Sequence, residues 1–281
     1  MTTHHPVGNG SSSVIVTDST AEAAAIVATQ IADCVRANPS ANLGLATGST
    51  PVPVYETLVR WVKKDSLSLR SVQTFNLDEY IGLDHGHPQS YRHYMRQHLF
   101  EAAGIASEQT HFPVLDKDVM RRGGALQDDS DAARIAAIRF EREITDGGGI
   151  DLQLLGIGVN GHIAFNEPGS DRDSRTRRVR LTESTVQANA RFFEGDTQRV
   201  PTEAMTMGIG TILEAKRIVI LATGRSKAPA IAAALLREPH SDCPASFLSE
   251  HPHVTWVLDP PAAFDWRNEV RPSDLPVPSG D

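Results

Sequence analysis

Residues 151–168, DLQLLGIGVNGHIAFNEP, join an apolar run to side chains that can move protons. The run over residues 152–157 is typical of a strand buried on both faces of a parallel sheet. The glycines at its end allow a tight turn or the close approach of a ligand. His162 and Glu167 then place an imidazole and a carboxylate beyond the strand's carboxyl end, where open α/β sheets bind ligands. The stretch predicts an acid–base site, with a glycine-rich surface loop as the alternative.

A second junction, between a predicted strand and a predicted helix, carries hydroxyl groups and a glycine. The strand, residues 42–46, runs directly into four positions that can face a ligand: Thr47, Gly48, Ser49 and Thr50. The proline that follows suits the first turn of a helix, where a missing N–H costs nothing. Free backbone amides and the positive end of the helix dipole attract anions at such a point. We therefore expect an anion-binding turn, with simple capping of the helix by Ser49 or Thr50 as the alternative.

Two adjacent acids, Asp78 and Glu79, follow another predicted strand at residues 72–75. Successive side chains of an extended chain alternate in direction, so the two carboxylates cannot both point the same way. One of them can face the ligand crevice at the carboxyl end of the strand while the other packs or pairs behind it. The pair therefore predicts one acid in the site and one supporting it.

Positive charge is clustered in one segment and isolated at two other positions. Residues 171–180, DRDSRTRRVR, hold five arginines, but acids alternate with them, so we interpret this segment as a solvated face. Arg191 is a lone cation among apolar neighbours, and a guanidinium suits bidentate contact with phosphate. Lys227 lies in a further strand–glycine–helix junction, TGRSK. We expect both cations to face an anionic ligand, with surface charge as the alternative.

The order of the predicted elements favours one α/β domain. Strands alternate with helices, which predicts a doubly wound, mostly parallel central sheet with helices on both faces, as in Rossmann-like folds. We assign residues 13–265 to this domain, with a disordered tail at 1–12 and a C-terminal tail at 266–281. A helix over residues 130–144 is predicted to turn three large side chains inward, namely Ile135, Ile138 and Phe140.

Composition argues against several classes of protein. A formal net charge of −8 disfavours a general nucleic-acid binder and gives no attraction to anionic membranes. Two cysteines, Cys34 and Cys243, provide neither a disulfide framework nor a metal-thiolate spacing, which favours a reducing, cytoplasmic compartment. No apolar run reaches the roughly 18 residues that span a membrane. We expect no metal site, because several histidines lack HExxH spacing: His85, His87, His93 and His98.

Four separated segments together resemble one family. They are GLATGSTP at residues 44–51, TFNLDEY at 74–80, GIGVNGHIAFNEPGS at 156–170 and TGRSKA at 223–228. In this order they closely resemble the glucosamine-6-phosphate deaminase (isomerase) family, over about residues 14–260. The resemblance implies conversion of D-glucosamine 6-phosphate and water to D-fructose 6-phosphate and ammonia in amino-sugar catabolism, without a cofactor.

The same resemblance implies a role for each candidate residue. Asp78 matches the base that moves the C2 proton, His162 the residue that helps to open the sugar ring, and Glu167 the acid that holds the imidazole. Many members carry aspartate where this chain has Asn160, so Asn160 joins the catalytic group with its effect on ring opening left open. The phosphate-binding positions are Thr47, Gly48, Ser49, Thr50, Arg191 and Lys227.

Two other functions remain open at this point. A 6-phosphogluconolactonase has a similar fold and similar glycine-rich segments, but the sequence AFNEP after the histidine and the sequence DEY favour the deaminase. A sugar-phosphate-binding protein without catalysis is the second alternative, because Asn160 departs from the catalytic pattern of many members. We expect a small-molecule substrate as partner, with no nucleic acid and no membrane, and a homo-oligomer stays open.

The resemblance also bears on regulation and on closure of the site. Some members are activated by N-acetylglucosamine 6-phosphate through a small hydroxyl and a lysine, where this chain has Asp171 and Val179. An acid repels a phosphate, so we expect weak or absent activation. Residues 181–203 are polar, irregular and contain Arg191, and we interpret them as a lid over the sugar.

Overall fold

An eight-stranded, mostly parallel sheet forms the centre of the molecule. The computed structural model describes residues 2–7, 12–84, 86–115 and 129–269. The central sheet contains β1 (Thr3–Pro6), β2 (Ser13–Val16), β3 (Asn42–Leu45), β4 (Gln73–Asn76), β6 (Thr110–His111), β7 (Leu152–Leu155), β10 (Ile218–Ala222) and β11 (Val254–Leu258). Three further strands, β5 (Asp78–Tyr80), β8 (Arg177–Arg180) and β9 (Glu203–Thr206), form a smaller antiparallel sheet in the order β5–β9–β8.

Helices alternate with these strands along the chain. They are α1 (Thr20–Ala37), α2 (Val52–Lys63), α3 (Tyr91–Met95, continuing through a π-helical turn at Arg96–Phe100 and Glu101–Ala103), α4 (Asp129–Asp146), α5 (Glu183–Asn189), α6 (Ile209–Leu213), α7 (Ala228–Leu236) and α8 (Phe264–Glu269). Short 3₁₀ turns occupy Ser107–Gln109, Ala190–Phe192, Arg225–Lys227 and Pro244–Glu250. No helix among the described residues has the length and apolarity that crossing a membrane requires.

The strand order brings the loops that carry the candidate residues to one edge. Neighbouring strands follow the order β1–β2–β11–β10–β7–β3–β4–β6, and within this sheet only β1 runs antiparallel to its neighbour. Strands β10, β7, β3 and β4 are therefore adjacent and parallel, and their carboxyl ends point to the same side. The predicted α/β class with a mostly parallel central sheet is confirmed, and its polar loops can meet at that side.

The central strands are apolar because both of their faces are covered. Every residue of β3, β7 and β10 is buried, which explains why these strands lack the alternation of a half-exposed sheet. Strands β3 and β7 can approach closely only because residue 44 is a glycine. A Cβ there would lie 2.0 Å from Oε1 of Gln153, a side chain that is fully buried in β7. Glycine at this position lets the two strands pair at the centre of the sheet.

The smaller sheet is joined to α4 through one partly buried acid. Glu141 accepts hydrogen bonds from the amide and hydroxyl of Thr176 and from the hydroxyl of Thr211, and it forms an ion pair with Arg175. These contacts fix the start of β8, which pairs with β9, and β9 in turn pairs with β5. The strand that carries Asp78 is thus held by an antiparallel unit that packs on the main sheet.

The two ends of the chain are more ordered than the sequence indicates. Thr3–Pro6 pairs antiparallel with β2, so the prediction of a disordered tail over residues 1–12 is wrong for this part. A backbone that extends an existing sheet edge gains hydrogen bonds that the side chains do not reveal. The predicted C-terminal tail is wrong at its start, because Trp266 in α8 is 2% exposed. The remaining tail positions, residues 1, 8–11 and 270–281, lie outside the described residues, as does His85.

Helix α4 presents a different face to the core than its large side chains indicate. Phe140 is buried as predicted, but Ile135 and Ile138 are 43% and 41% exposed, so that part of the prediction is wrong. The alanines of the helix pack inward instead, because small side chains let the helix lie close to its neighbours. Ile138 lines a cavity of about 810 Å³ between α4 and β8.

Candidate active site

Asp78 is a buried carboxylate at the carboxyl edge of the sheet. It lies in β5 and is 7% exposed. Burial, together with the smaller effect of the neighbouring charge of Glu79, raises the pKa of Asp78 to about 8. No hydrogen bond joins its carboxylate to a side chain or amide of the described residues. A base that is raised in pKa and free of donors is suited to accept a proton from a ligand.

Glu79 points the other way and stabilises the start of a helix. Its carboxylate accepts hydrogen bonds from the amides of Tyr91 and Arg92 at the first turn of α3, each 2.9 Å long, and from the amide of Tyr80. Burial raises the pKa of Glu79, and these hydrogen bonds oppose that shift. The division between one acid in the crevice and one behind it follows from the alternation of an extended strand.

The loop that carries His162 is tied to the strand next to Asp78. Thr206 of β9 is the residue opposite Asp78 in the antiparallel pair. The hydroxyl of Thr206 accepts a hydrogen bond from the amide of Phe165, 3.1 Å long. The side chain of Asn166 donates to the carbonyl of Met207 over 2.9 Å. The residue that pairs with Asp78 thus binds the loop that carries His162, so Asp78 and this loop lie on the same side of the sheet.

His162, Glu167 and Asn160 form a compact group on this loop. Nδ1 of His162 lies 3.5 Å from Oε2 of Glu167, which is long for a hydrogen bond and short enough for an ion pair with a protonated imidazole. Nδ2 of Asn160 donates to the same Oε2 over 2.8 Å, and Oδ1 of Asn160 accepts from the amide of His162 over 3.2 Å. Asn160 thus holds both members of the pair without adding charge.

The carboxylate of Glu167 stays ionised because of its donors. Burial raises its pKa, but the adjacent imidazole of His162 and hydrogen bonds from Thr185 and Asn160 lower the pKa to about 2. A fixed negative charge beside an imidazole stabilises the protonated ring and sets its orientation. This arrangement suits a histidine that takes up and returns a proton.

Gly158 leaves the space in which the imidazole lies, and its replacement gives a test of that position. A Cβ at residue 158 would lie 2.3 Å from Nδ1 and Cε1 of His162, closer than real contacts allow. We expect Gly158→Ala to push the ring away from Glu167 and to lower kcat about a hundredfold, because small misplacements of a catalytic group have effects of this size. Steady-state kinetics measure the change, and circular dichroism checks that the fold is retained.

A matched control for this substitution is Gly86→Ala, where an added Cβ meets nothing within 4 Å. It changes the chain by the same methyl group without contact to His162, so its kcat should stay close to that of the wild type. Equal kcat values for Gly158→Ala and the wild type would show that the position of the ring does not limit turnover.

The TGST turn, residues 47–50, connects β3 to α2, and two tyrosines bind the backbone in and beside it. The hydroxyl of Tyr94 in α3 donates to the carbonyl of Gly48 over 2.6 Å, and the hydroxyl of Tyr55 in α2 donates to the carbonyl of Ala46. Gly48 has a φ of 100°, a backbone conformation that favours glycine.

The position before α2 is Pro51, and no side chain caps the helix, so the alternative of capping by Ser49 or Thr50 is wrong. Proline already preorganises the first turn, and the helix therefore starts without a hydroxyl partner. The hydroxyls of the turn stay available for other contacts.

Two cations lie close together on the side of the sheet where the TGST turn begins. Burial lowers the pKa of Lys227, and the nearby charge of Arg191 lowers it further. Arg191 lies in the 3₁₀ turn after α5, with its guanidinium 4.6 Å from the ring centre of Phe192. Neither cation forms an ion pair with the described part of the chain. Two unpaired neighbouring cations repel each other, and an anion between them would relieve the repulsion.

Three residues that position these groups were not found from the sequence, namely Tyr94, Thr185 and Thr206. Thr206 and Tyr94 each act through one hydrogen bond to a distant loop, which no local pattern reveals. Thr185 is the third residue after Thr182, and the sequence TEST is a helix-start signal that points to this turn. It gives no indication that the hydroxyl of Thr185 turns away from the helix toward Glu167.

The sequence and the fold agree with one family of enzymes. Residues 16–256 match the family described as glucosamine-6-phosphate isomerases/6-phosphogluconolactonase, and the chain belongs to this family. Within it, glucosamine-6-phosphate deaminase 2 of Giardia intestinalis is 48% identical, with 87% of this chain and 88% of the relative covered. The glucosamine-6-phosphate deaminase of Rhodopirellula baltica is 50% identical, with 86% of this chain and 90% of the relative covered. The resemblance to the deaminase family is thereby confirmed.

Solved structures of the same fold separate into two groups by sequence. A structure described as a monomeric glucosamine-6-phosphate deaminase is 40% identical, with a TM-score of 0.81 over 90% of this chain and 99% of that one. A 6-phosphogluconolactonase from Trypanosoma cruzi has a TM-score of 0.69 over 93% of this chain and 98% of that one, but it is 22% identical. The second similarity concerns the fold alone.

Proposed function

We propose that this protein converts D-glucosamine 6-phosphate and water to D-fructose 6-phosphate and ammonia. The proposal rests on the buried carboxylate of Asp78, which has no hydrogen-bond donor among the described residues, and on the imidazole–carboxylate pair of His162 and Glu167 at the same edge of the sheet. The names of the two relatives and of the most similar solved structure described above support the same reaction. A cytoplasmic location and independence of cofactors belong to the proposal.

The reaction begins with opening of the sugar ring. His162 carries a proton between O1 and O5, and the ionised Glu167 stabilises the imidazolium that forms on the way. Asn160 keeps Glu167 in place through the hydrogen bond to Oε2. The product of this step is the open-chain aldehyde, whose C2 proton has become acidic.

Asp78 then moves that proton from C2 to C1. The C2 ammonium group of the substrate is a cation next to Asp78, and its charge lowers the pKa of Asp78 when the substrate binds. The ionised carboxylate removes the C2 proton, and one proton passes from the ammonium nitrogen to O1, which gives a C1–C2 enol that carries an amino group at C2. Asp78 then returns its proton to C1, which leaves a hydroxymethyl group at C1 and an iminium group at C2. Water adds to this iminium group, the C–N bond breaks, and ammonia leaves as the ketone forms.

The phosphate supplies binding energy without taking part in the chemistry. Arg191 and Lys227 provide positive charge, and the TGST turn, residues 47–50, provides backbone amides and hydroxyls at the start of α2. Holding the far end of the sugar aligns C1 and C2 with Asp78, which makes the proton transfer effectively intramolecular. Arg191 belongs to the proposed lid, residues 181–203, so closure and phosphate binding would occur together.

Release of ammonia tests the proposal directly. The purified protein is expected to release ammonia from glucosamine 6-phosphate, with one fructose 6-phosphate formed for each ammonia. Glucosamine without phosphate is the matched control. It should react far more slowly, because it lacks the phosphate that Arg191 and Lys227 would bind. Acid release from 6-phosphogluconolactone without ammonia release would favour the lactonase alternative. Tight binding of the sugar phosphate without turnover would favour a binding protein.

A further inference from the structure

The carboxylate of Glu167 lies between two sets of donors from different parts of the chain. Its Oε2 atom faces Asn160 and His162 on the loop after β7. Its Oε1 atom accepts a short hydrogen bond from the hydroxyl of Thr185 and a longer one, 3.4 Å, from the hydroxyl of Thr182. Both threonines belong to the first turn of α5. One carboxylate therefore joins the acid–base pair to the start of the lid segment.

The environment leaves little that can replace Thr185 as a donor. Thr185 is 8% exposed, and the side chain of Glu167 is 12% exposed, so water has limited access to Oε1. Thr182 is a poorer donor to Oε1, because its hydroxyl lies 3.4 Å from that oxygen, near the limit for a hydrogen bond, and its amide-capping contact with Thr185 holds it at the start of the helix. A buried carboxylate oxygen without its donor would be destabilised, and its carboxylate would be free to rotate.

We infer that Thr185 is a positioning residue for His162, because its hydroxyl fixes the rotation of the Glu167 carboxylate and fastens helix α5 to the acid–base pair. The inference rests on the proposed function, in which His162 opens the sugar ring. Rotation of Glu167 would move Oε2 away from Nδ1 of His162, and the imidazolium would lose its counter-charge during the proton transfer.

The test compares Thr185→Val with Thr185→Ser. Valine keeps the shape of threonine and removes the hydroxyl, so we expect kcat for glucosamine 6-phosphate to fall about tenfold, the size expected for one hydrogen bond to a charged group. KM should change less than about twofold, because the phosphate-binding residues are untouched. Serine restores the donor, so Thr185→Ser should recover most of kcat.

The matched control is Thr211→Val. The hydroxyl of Thr211, which is 2% exposed, donates to the partly buried carboxylate of Glu141 over 2.6 Å, so this variant loses a bond of the same kind outside the site. Equal kcat losses in Thr185→Val and Thr211→Val would overturn the inference, as would a Thr185→Ser variant no more active than Thr185→Val. If the valine variant is insoluble, Thr185→Ala takes its place in the same comparison.

The failure of the inference and the failure of the proposed function are distinguishable. If the wild-type protein releases no ammonia from glucosamine 6-phosphate, the proposed function itself is wrong. If the wild type releases ammonia and Thr185→Val has an unchanged kcat, only the positioning role of Thr185 is wrong.

Discussion

Replacing Asp78 by asparagine is expected to lower kcat for ammonia release about a thousandfold. The amide keeps the shape of the carboxylate but cannot accept the C2 proton, and a positioned general base contributes about 10²–10⁴-fold to a rate. Binding of fructose 6-phosphate should change by less than about tenfold, because Arg191 and Lys227 are not altered. Steady-state kinetics and calorimetric titration with fructose 6-phosphate measure the two effects separately.

The matched control for this substitution is Asp33→Asn, which removes an exposed carboxylate on α1. It makes the same chemical replacement far from the carboxyl edge of the sheet, so kcat should remain that of the wild type. A thousandfold loss confined to Asp78→Asn supports the role of the base. An Asp78→Asn variant with wild-type kcat would remove Asp78 from the mechanism and leave the deaminase assignment without its proton acceptor.

The second large effect concerns stability, because Asp78 holds its proton more tightly in the folded chain. The pKa of Asp78 is raised to about 8 by burial and by Glu79, from the ordinary value of 3.8 for an aspartate. Between these two pH values the folded state binds one proton more than the unfolded state. The free energy of unfolding should therefore fall as pH rises, by at most about 1.4 kcal/mol per pH unit from this residue. This contribution levels off above about pH 8.

Urea unfolding of the wild type and of Asp78→Asn at several pH values isolates this contribution. Other groups titrate alike in both proteins, so the difference between the two unfolding free energies should move in favour of Asp78→Asn as pH rises from about 5 to 8. Measurements at pH 5, 6, 7 and 8 give the slope. A constant difference would mean that Asp78 is ionised in the folded protein throughout this range.

The sequence predicted which loops meet at one edge of the sheet, because each of these loops follows the end of a parallel strand. The loops after β3, β7 and β10 each begin where an apolar run stops at a glycine, and parallel neighbours bring such ends together. The alternation of an extended chain separated Asp78 from Glu79, although it did not say which acid faces the crevice. The contacts of Glu79 with the first turn of α3 answer that question.

Other features depend on contacts that a local pattern does not contain. The hydroxyl of Thr185 reaches a carboxylate eighteen residues earlier in the chain, and nothing in the composition of α5 fixes that direction. Ile135 and Ile138 have the spacing of a buried face, yet the alanines of α4 lie against the core. The strand at Thr3–Pro6 forms through backbone pairing with β2, and the types of its side chains do not reveal this pairing.

The hydrogen bond from Tyr94 to Gly48 has a consequence for substrate size. Tyr94 lies in α3, and the first turn of the same helix is fixed by Glu79, the chain neighbour of Asp78. One rigid helix therefore sets the distance between the proposed phosphate cradle and the proposed base. Under the proposed function, we expect the enzyme to discriminate among sugar phosphates by the length of their carbon chain.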